Sequence, residues 1–478
     1  MNRRLQQLWR DTVPMGGPFP QADPADIRRR VNAALNSNPS ERSIYMRQKI
    51  RFAVVPAVFA VLLAGTALAA ASQWNILDFY FEGDTTPGQA LVDTQPRSVV
   101  DGSYVLTVES SAADPSAALL LVRVDALTEE AAAFMASDDF NGIDLWSIYP
   151  VDPVYLQENS DAPRSSGASY SEVEELRTDT STTWRFRVDL TGMTCTQIRV
   201  RMGYMEEGLA ITVPIQQAQP REVPIGATGQ GLSWYDARSA GEVTLQSASL
   251  TPLSLQLNIT WDAALRPDEG PLPPLVFLMK DGSLRPMGQM LEPIRHGTTV
   301  LDQDGESMEG CWSISFRSVQ DLDQMAALVV WGQAYPLDGS DPYPLEVDPS
   351  LLPFTIPAVD PQLEEIGYAV PLRSLCDGLG IDCAWDNNTQ TALLTYRDTT
   401  IALTWGSDTA LVNGQAVDLM VPVFVVDSAG QVHTTPDGTS GTLCVELFSA
   451  LEEDLDLWFN LPYDQGTDTY ADSWVVYP

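Results

Sequence analysis

Histidine and lysine are almost missing from this 478-residue chain, which has two of each (His296 and His433, Lys49 and Lys280) beside 25 arginines. Two histidines exclude a His-rich metal centre by counting. Cysteine is scarce as well: Cys195, Cys311, Cys376, Cys383 and Cys444 are odd in number and too scattered for a disulfide scaffold, so at most two bridges can form. No G-x-S-x-G elbow, P-loop or H-E-x-x-H motif occurs. A Ser-His-Asp site would need His296 or His433, and both stand in polar, loop-like contexts (PIRHGT, QVHTTPDG) that suit an exposed structural histidine better. The stretch Asp302-Gln303-Asp304-Gly305-Glu306-Ser307 has an incomplete calcium-loop spacing and reads as a solvated acidic turn. With 64 acids present, carboxylate pairs carry no information. No catalytic residue, cofactor or metal ligand is assigned, and the chain is expected not to be an enzyme.

Long apolar runs are also lacking, with one exception. Phe52 to Ala71 is an uncharged run of twenty residues, and as a helix it would extend about 30 Å, the thickness of a bilayer's hydrocarbon core. The charge changes sign across it. Residues 1–51 carry ten Arg or Lys against four acids, a net of +6, whereas the rest of the chain carries 17 against 60, a net of −43. Cations concentrated just before the span place the N-terminus in the cytoplasm and the following 407 residues outside the cell membrane. A cleaved signal peptide is the alternative, since Ala67-Leu68-Ala69 has a small-x-small pattern. The 51 residues ahead of the run exceed a signal peptide's usual total of ~15–30 and favour an uncleaved anchor. So acidic an external part repels nucleic acid and anionic headgroups.

Within residues 1–51, Leu5, Leu8 and Trp9 share one helical face. Asp23-Pro24 suits the start of a second helix with Ile27, Val31 and Leu35 on one side. These six residues are candidates for binding a cytoplasmic protein such as a sigma factor; a basic stalk lying on the inner leaflet is the other reading.

Residues 72–96 read as a juxtamembrane linker. Beyond it a pattern occurs twice: a pair of alternating strands, a loop, then a Trp-led strand and one more. The first copy uses Ser103–Ala126 and Thr182–Met205, the second Glu242–Ala263 and Gly310–Leu337. Alternation such as Trp184, Phe186 and Val188 against Arg185, Arg187 and Asp189 marks strands with one buried face. The expected fold is mainly β, with two tandem β-sandwich-like domains (97–217 and 218–348), a linker (349–362) and a small C-terminal α+β domain (363–478).

In that last domain Pro371 opens a helix whose apolar positions are Leu372, Leu375, Cys376 and Leu379, and Gly380 stands just past its end. Asp386-Asn387-Asn388 and Asn413-Gly414 turn hairpins. A second helix is expected over about Leu443–Leu455, with Leu443, Leu447, Leu451 and Leu455 four apart. Cys376 and Cys383 flank the first helix's end and are a disulfide candidate, the alternative being two small buried apolar residues.

Val370-Pro371-Leu372-Arg373, Leu379-Gly380, Trp385-Asp386 and Val412-Asn413-Gly414 resemble the copper amine oxidase N-terminal-like domain of secreted and envelope proteins of Gram-positive bacteria. The resemblance implies no copper, because in that family oxidase chemistry resides in a separate catalytic domain. A second VPLR-like element is reduced here to Leu443–Phe448. Residues 20–340 bear a looser resemblance to membrane-anchored anti-sigma-factor-like proteins, carried by the basic N-terminal segment, the span ending in Gly65–Phe81, Val243–Leu257 and the turn Lys280–Ser283. That likeness implies transmembrane sensing or regulation; an anchored envelope-binding or adhesion protein is the alternative.

Overall fold

The structure, a computed structural model, describes residues 75–137, 140, 146–155, 167–203, 209–233, 241–262, 271–303, 307–360, 368–447, 451, 454–460, 463–464, 469–470 and 473–478, all within one compact unit, Gly65–Pro478. The expected span, 52–71, and the partner-binding candidates Leu5, Leu8, Trp9, Ile27, Val31 and Leu35 lie outside the described residues. Among the described residues, no helix is long and apolar enough to cross a membrane.

Strands dominate, and the repeated sequence pattern is a repeated topology. In the first copy Tyr104–Ala113, Ala117–Ala126 and Ser181–Asp189 are consecutive neighbours in one antiparallel sheet; in the second, Gly241–Leu250, Ser254–Asp262 and Ser307–Phe316 are. Each Trp-led strand therefore lies against the second strand of its hairpin. The register sets Trp184 opposite Val122 and Trp312 opposite Leu257, which is how a period-2 pattern lines up one apolar face.

Each copy then adds a second sheet over that face. In the first domain Leu209–Pro214, Gln197–Met202 and Trp146–Pro150 supply Val213, Ile198, Val200 and Ile148 against Leu106, Val122, Phe186 and Val188. In the second, Leu275–Met279 and Met325–Val330 supply Phe277 and Leu328 against Leu257, Trp312 and Ile314. Two sheets sharing one core satisfy the alternation on that face.

The first domain's main sheet is buried on both faces, and the segment after the apolar run is the reason. Residues 72–96, read from the sequence as a linker, contain the 3-10 turns Ile76–Phe79 and Thr86–Leu91. Ile76, Leu77, Tyr80 and Phe81 pack against Ala112, Ala117, Leu119 and Leu121 on the sheet's outer face, and against Leu253 and Val319 of the second domain. The Tyr80 hydroxyl donates to the Phe186 carbonyl oxygen at 2.7 Å. Arg185 donates to the Phe79 carbonyl oxygen. Gly88 sits in close contact: a Cβ there would meet Leu77 Cδ1 at 2.6 Å and Val319 Cγ1 at 3.0 Å, so those side chains would have to shift. Five large apolar residues in Ile76–Phe81 are the sequence signal for this packing: a solvated linker cannot leave so much apolar surface in water.

A buried carboxylate joins the two β domains. Asp114, in the turn between the first domain's hairpin strands, accepts from the backbone N–H groups of Ser116 (2.8 Å) and Ala117 (2.9 Å) and from the Ser116 hydroxyl (2.8 Å) through Oδ1. Its Oδ2 accepts from the hydroxyls of Thr251 (2.7 Å) and Ser254 (2.5 Å) in the second domain. Five donors on one charge offset its removal from water.

The terminal domain packs onto its neighbour through a closing three-stranded sheet of its own. Phe354–Pro357, inside the expected linker 349–362, pairs with Ser473–Tyr477, which pairs with Trp458–Asn460. Successive residues of Ser473–Tyr477 point to opposite faces. Trp474 and Val476 enter the terminal core with Ile356 and Phe459, while Val475 and Tyr477 enter the second domain's core with Trp458. One strand thus closes two cores.

The expected helix over Leu443–Leu455 is corrected in its first part. Gly441–Glu446 is a strand pairing with Phe424–Asp427 and Ala369–Pro371. A spacing of four also returns a residue to the same face of a strand, so leucines four apart do not distinguish the two structures. Here the segment lies between Ala369–Pro371 and Phe424–Asp427 as the strand that joins them.

Candidate functional site in the terminal domain

Two groups of reactive side chains occur in this domain, and local backbone chemistry builds both. The first is the cysteine pair. The helix Leu372–Gly378 follows Pro371, which holds its N-cap position in extended conformation, and buries Leu372, Leu375 and Cys376. It ends in a Schellman motif. Gly380 is left-handed (φ +67°), the Ile381 N–H donates to the Cys376 carbonyl oxygen at 3.0 Å, and the Gly380 N–H to that of Asp377 at 3.2 Å. This turns the chain just ahead of the strand Cys383–Asp386.

Cys383 returns to the apolar cluster that holds Cys376, both packing with Leu375, Leu379 and Leu394. Cys376 is buried, whereas Cys383 is partly exposed at an edge strand. The Cys376 side chain lowers the Cys383 thiol to about 7, burial opposes that shift, and Arg373 adds to it; the Cys376 thiol is correspondingly pushed up. The greater exposure and the lowered thiol both favour Cys383 as the attacking member of the pair. The sequence marked both residues, and tertiary structure brings the side chains together. Cys195, Cys311 and Cys444 are buried elsewhere, their thiols raised by burial to about 11, 12 and 12.

The second group surrounds His433, which ends the short strand Val432–His433. Its Nδ1 lies 2.8 Å from Asp437 Oδ2 and its Nε2 3.2 Å from Asp427 Oδ2. Asp427 also accepts from the N–H groups of Ala429 and Gln431 across the turn at Gly430. The indole of buried Trp405 donates to the His433 carbonyl oxygen at 2.8 Å. The imidazole is thus a clasp between two turns, which the sequence indicated only as a polar loop.

Asp437, then Asp427, hydrogen-bond the ring and raise the His433 pKa above its ordinary value. Asp437 itself is lowered to about 2, chiefly by Thr439. The protonated clasp is therefore favoured by folding. Its contribution is fully present below the unfolded imidazole's ~6.5 and is lost as pH rises through the higher folded value. In an NMR titration His433 should titrate above 6.5, and Asp437→Asn should bring the midpoint down; an unchanged midpoint would contradict the clasp.

Both nitrogens of His433 face carboxylates, and it is the one histidine between residues 354 and 433, so this region does not fit a histidine copper site. Among the described residues, no group of three or more His, Cys, Asp or Glu side chains is placed to hold a metal ion. His296 lies on the strand Leu291–Gln303, opposite Ile314 in register.

No curated protein matches the chain. Among solved structures, one described as "The crystal structure of the conserved domain protein from Bacillus anthracis" is similar at 11% identity with a TM-score of 0.31, covering 54% of this chain and 83% of that one. The terminal region is more specific. Its helix, hairpins and left-handed turns at Gly380 and Asn413-Gly414 (φ +50° and +79°) coincide with the motifs singled out in the sequence, and residues 354–433 match the family model of the copper amine oxidase N-terminal domain, starting at the strand Phe354–Pro357 rather than at residue 363.

Proposed function

We propose that this chain is a single-pass, non-catalytic envelope protein of the anti-sigma-factor type, with residues 1–51 binding a cytoplasmic sigma factor and the β domains and terminal domain lying outside. The supporting observation is the seating of Asn75–Val92 directly after the apolar run. Adhesion needs only a loose tether. Signalling needs a mechanical path, and Ile76, Leu77, Tyr80 and Phe81 are packed between both β domains. A ligand that shifted those domains relative to each other would move the residues nearest the span.

The test is a two-hybrid assay of residues 1–51 against the sigma factors of the source organism. Leu8→Asp and Val31→Asp should each cut the signal at least tenfold, because a charge left unpaired in a docked apolar face costs several kcal/mol. Equal signals from wild type and both variants would remove the sigma-factor reading and leave the envelope-binding alternative.

A further inference from the structure

We propose that Cys376 and Cys383 close an intramolecular disulfide that staples the terminal domain's helix to the edge strand of its five-stranded sheet. Three observations converge on it. The Schellman motif fixes the reversal between the two residues through two backbone hydrogen bonds and a left-handed glycine. Both side chains belong to one apolar cluster with Leu375, Leu379 and Leu394. Cys383 is opposite Leu394 in register, so it faces the core rather than solvent while remaining partly exposed.

Asymmetric exposure suits stepwise oxidation. The Cys383 thiolate attacks a sulfur of a disulfide-bearing oxidant, forming a mixed disulfide and releasing one oxidant thiolate. The deprotonated Cys376 sulfur then attacks Cys383 Sγ, forming the Cys376–Cys383 bond and releasing the second oxidant thiolate. Two thiols lose two protons and two electrons, and the oxidant's disulfide becomes two thiols. The bond restrains Cys383–Asp386, an edge strand paired, among the described residues, with Thr391–Tyr396 alone. Its stabilising effect comes from closing a short loop in the unfolded chain. Only the supply of oxidant rests on the external placement proposed above.

The experiment uses the full chain in detergent. After incubation with oxidised glutathione it is unfolded without reductant, alkylated and digested with trypsin, which leaves both cysteines on the peptide Ser374–Arg397. The expected peptide is unalkylated and lighter than the reduced form by two hydrogens, with Cys195, Cys311 and Cys444 alkylated. Reduction should lower the melting midpoint of the terminal domain by about 10 °C. Cys383→Ser should melt like the reduced protein and be indifferent to reductant, which separates loss of the bond from any misfolding caused by replacing buried Cys376. Two alkyl groups on Ser374–Arg397 after oxidation, or an oxidised melting midpoint equal to the reduced one, would overturn the proposal. A bond that forms in glutathione, in a chain whose thiols are free when taken from acid-quenched cells, supports the pair and counts against the external placement.

Discussion

Replacing Asp114 with alanine should destabilise the paired β domains by about 3–5 kcal/mol, the largest effect expected of any single polar substitution here. The carboxylate is 1% exposed and accepts five hydrogen bonds, three within its own turn and two from Thr251 and Ser254 of the second domain. Each bond to a charged acceptor contributes roughly 1.5–3 kcal/mol net, and each buried donor left alone costs about 1–3. The hydroxyls can rotate toward other acceptors, which keeps the total well below the sum. Asp114→Asn retains one carbonyl oxygen and should lose about half as much. Urea unfolding of both variants measures this, and a midpoint for Asp114→Ala equal to that of wild type would show that the joint contributes nothing. The prediction also bears on function: the same joint encloses Ile76–Phe81, so loosening it should raise hydrogen exchange at Tyr80 and Phe81.

Gly288→Ala is expected to be nearly as severe through backbone collision. A Cβ at Gly288 would lie 2.2 Å from the Tyr477 carbonyl oxygen, 2.9 Å from that of Pro478 and 3.0 Å from that of Asp456. None of these is a flexible side chain, so the closing strand must move. The Gly288 N–H also donates to the Pro478 carbonyl oxygen at 2.7 Å, and Arg317 bridges the Gly288 and Leu457 carbonyl oxygens. Overpacking of this kind costs about 1–3 kcal/mol, and the rigid neighbours put Gly288 at the upper end. Displacing Ser473–Tyr477 would withdraw Val475 and Tyr477 from one core and Trp474 and Val476 from the other. Hydrogen exchange of these amides and proteolysis between the domains should both rise at least tenfold; unchanged exchange would mean the strand tolerates the shift.

Strands with one clean alternation were legible from residues alone. Trp184, Phe186 and Val188 are buried as their spacing requires, and Asn413-Gly414 turns its hairpin with both residues left-handed, as only such a pair does cheaply. Legibility failed where one residue set serves two partners. Ser473–Tyr477 is apolar on both faces, which specifies burial without specifying that two different domains supply it. The segment near Leu443 failed because a spacing of four fits both a helix and a strand.

The sequence by itself determined the β class, the tandem repeat, the charge reversal across Phe52–Ala71 and the terminal domain's family, since each depends on local periodicity, composition or a short motif. Only tertiary structure decided that Ile76–Phe81 is a wedge, that Asp114 is a joint, that His433 clasps two turns and that Cys376 meets Cys383. The first two depend on which distant residues arrive at the same place and the last two on how local turns reverse the chain, neither of which composition or periodicity specifies.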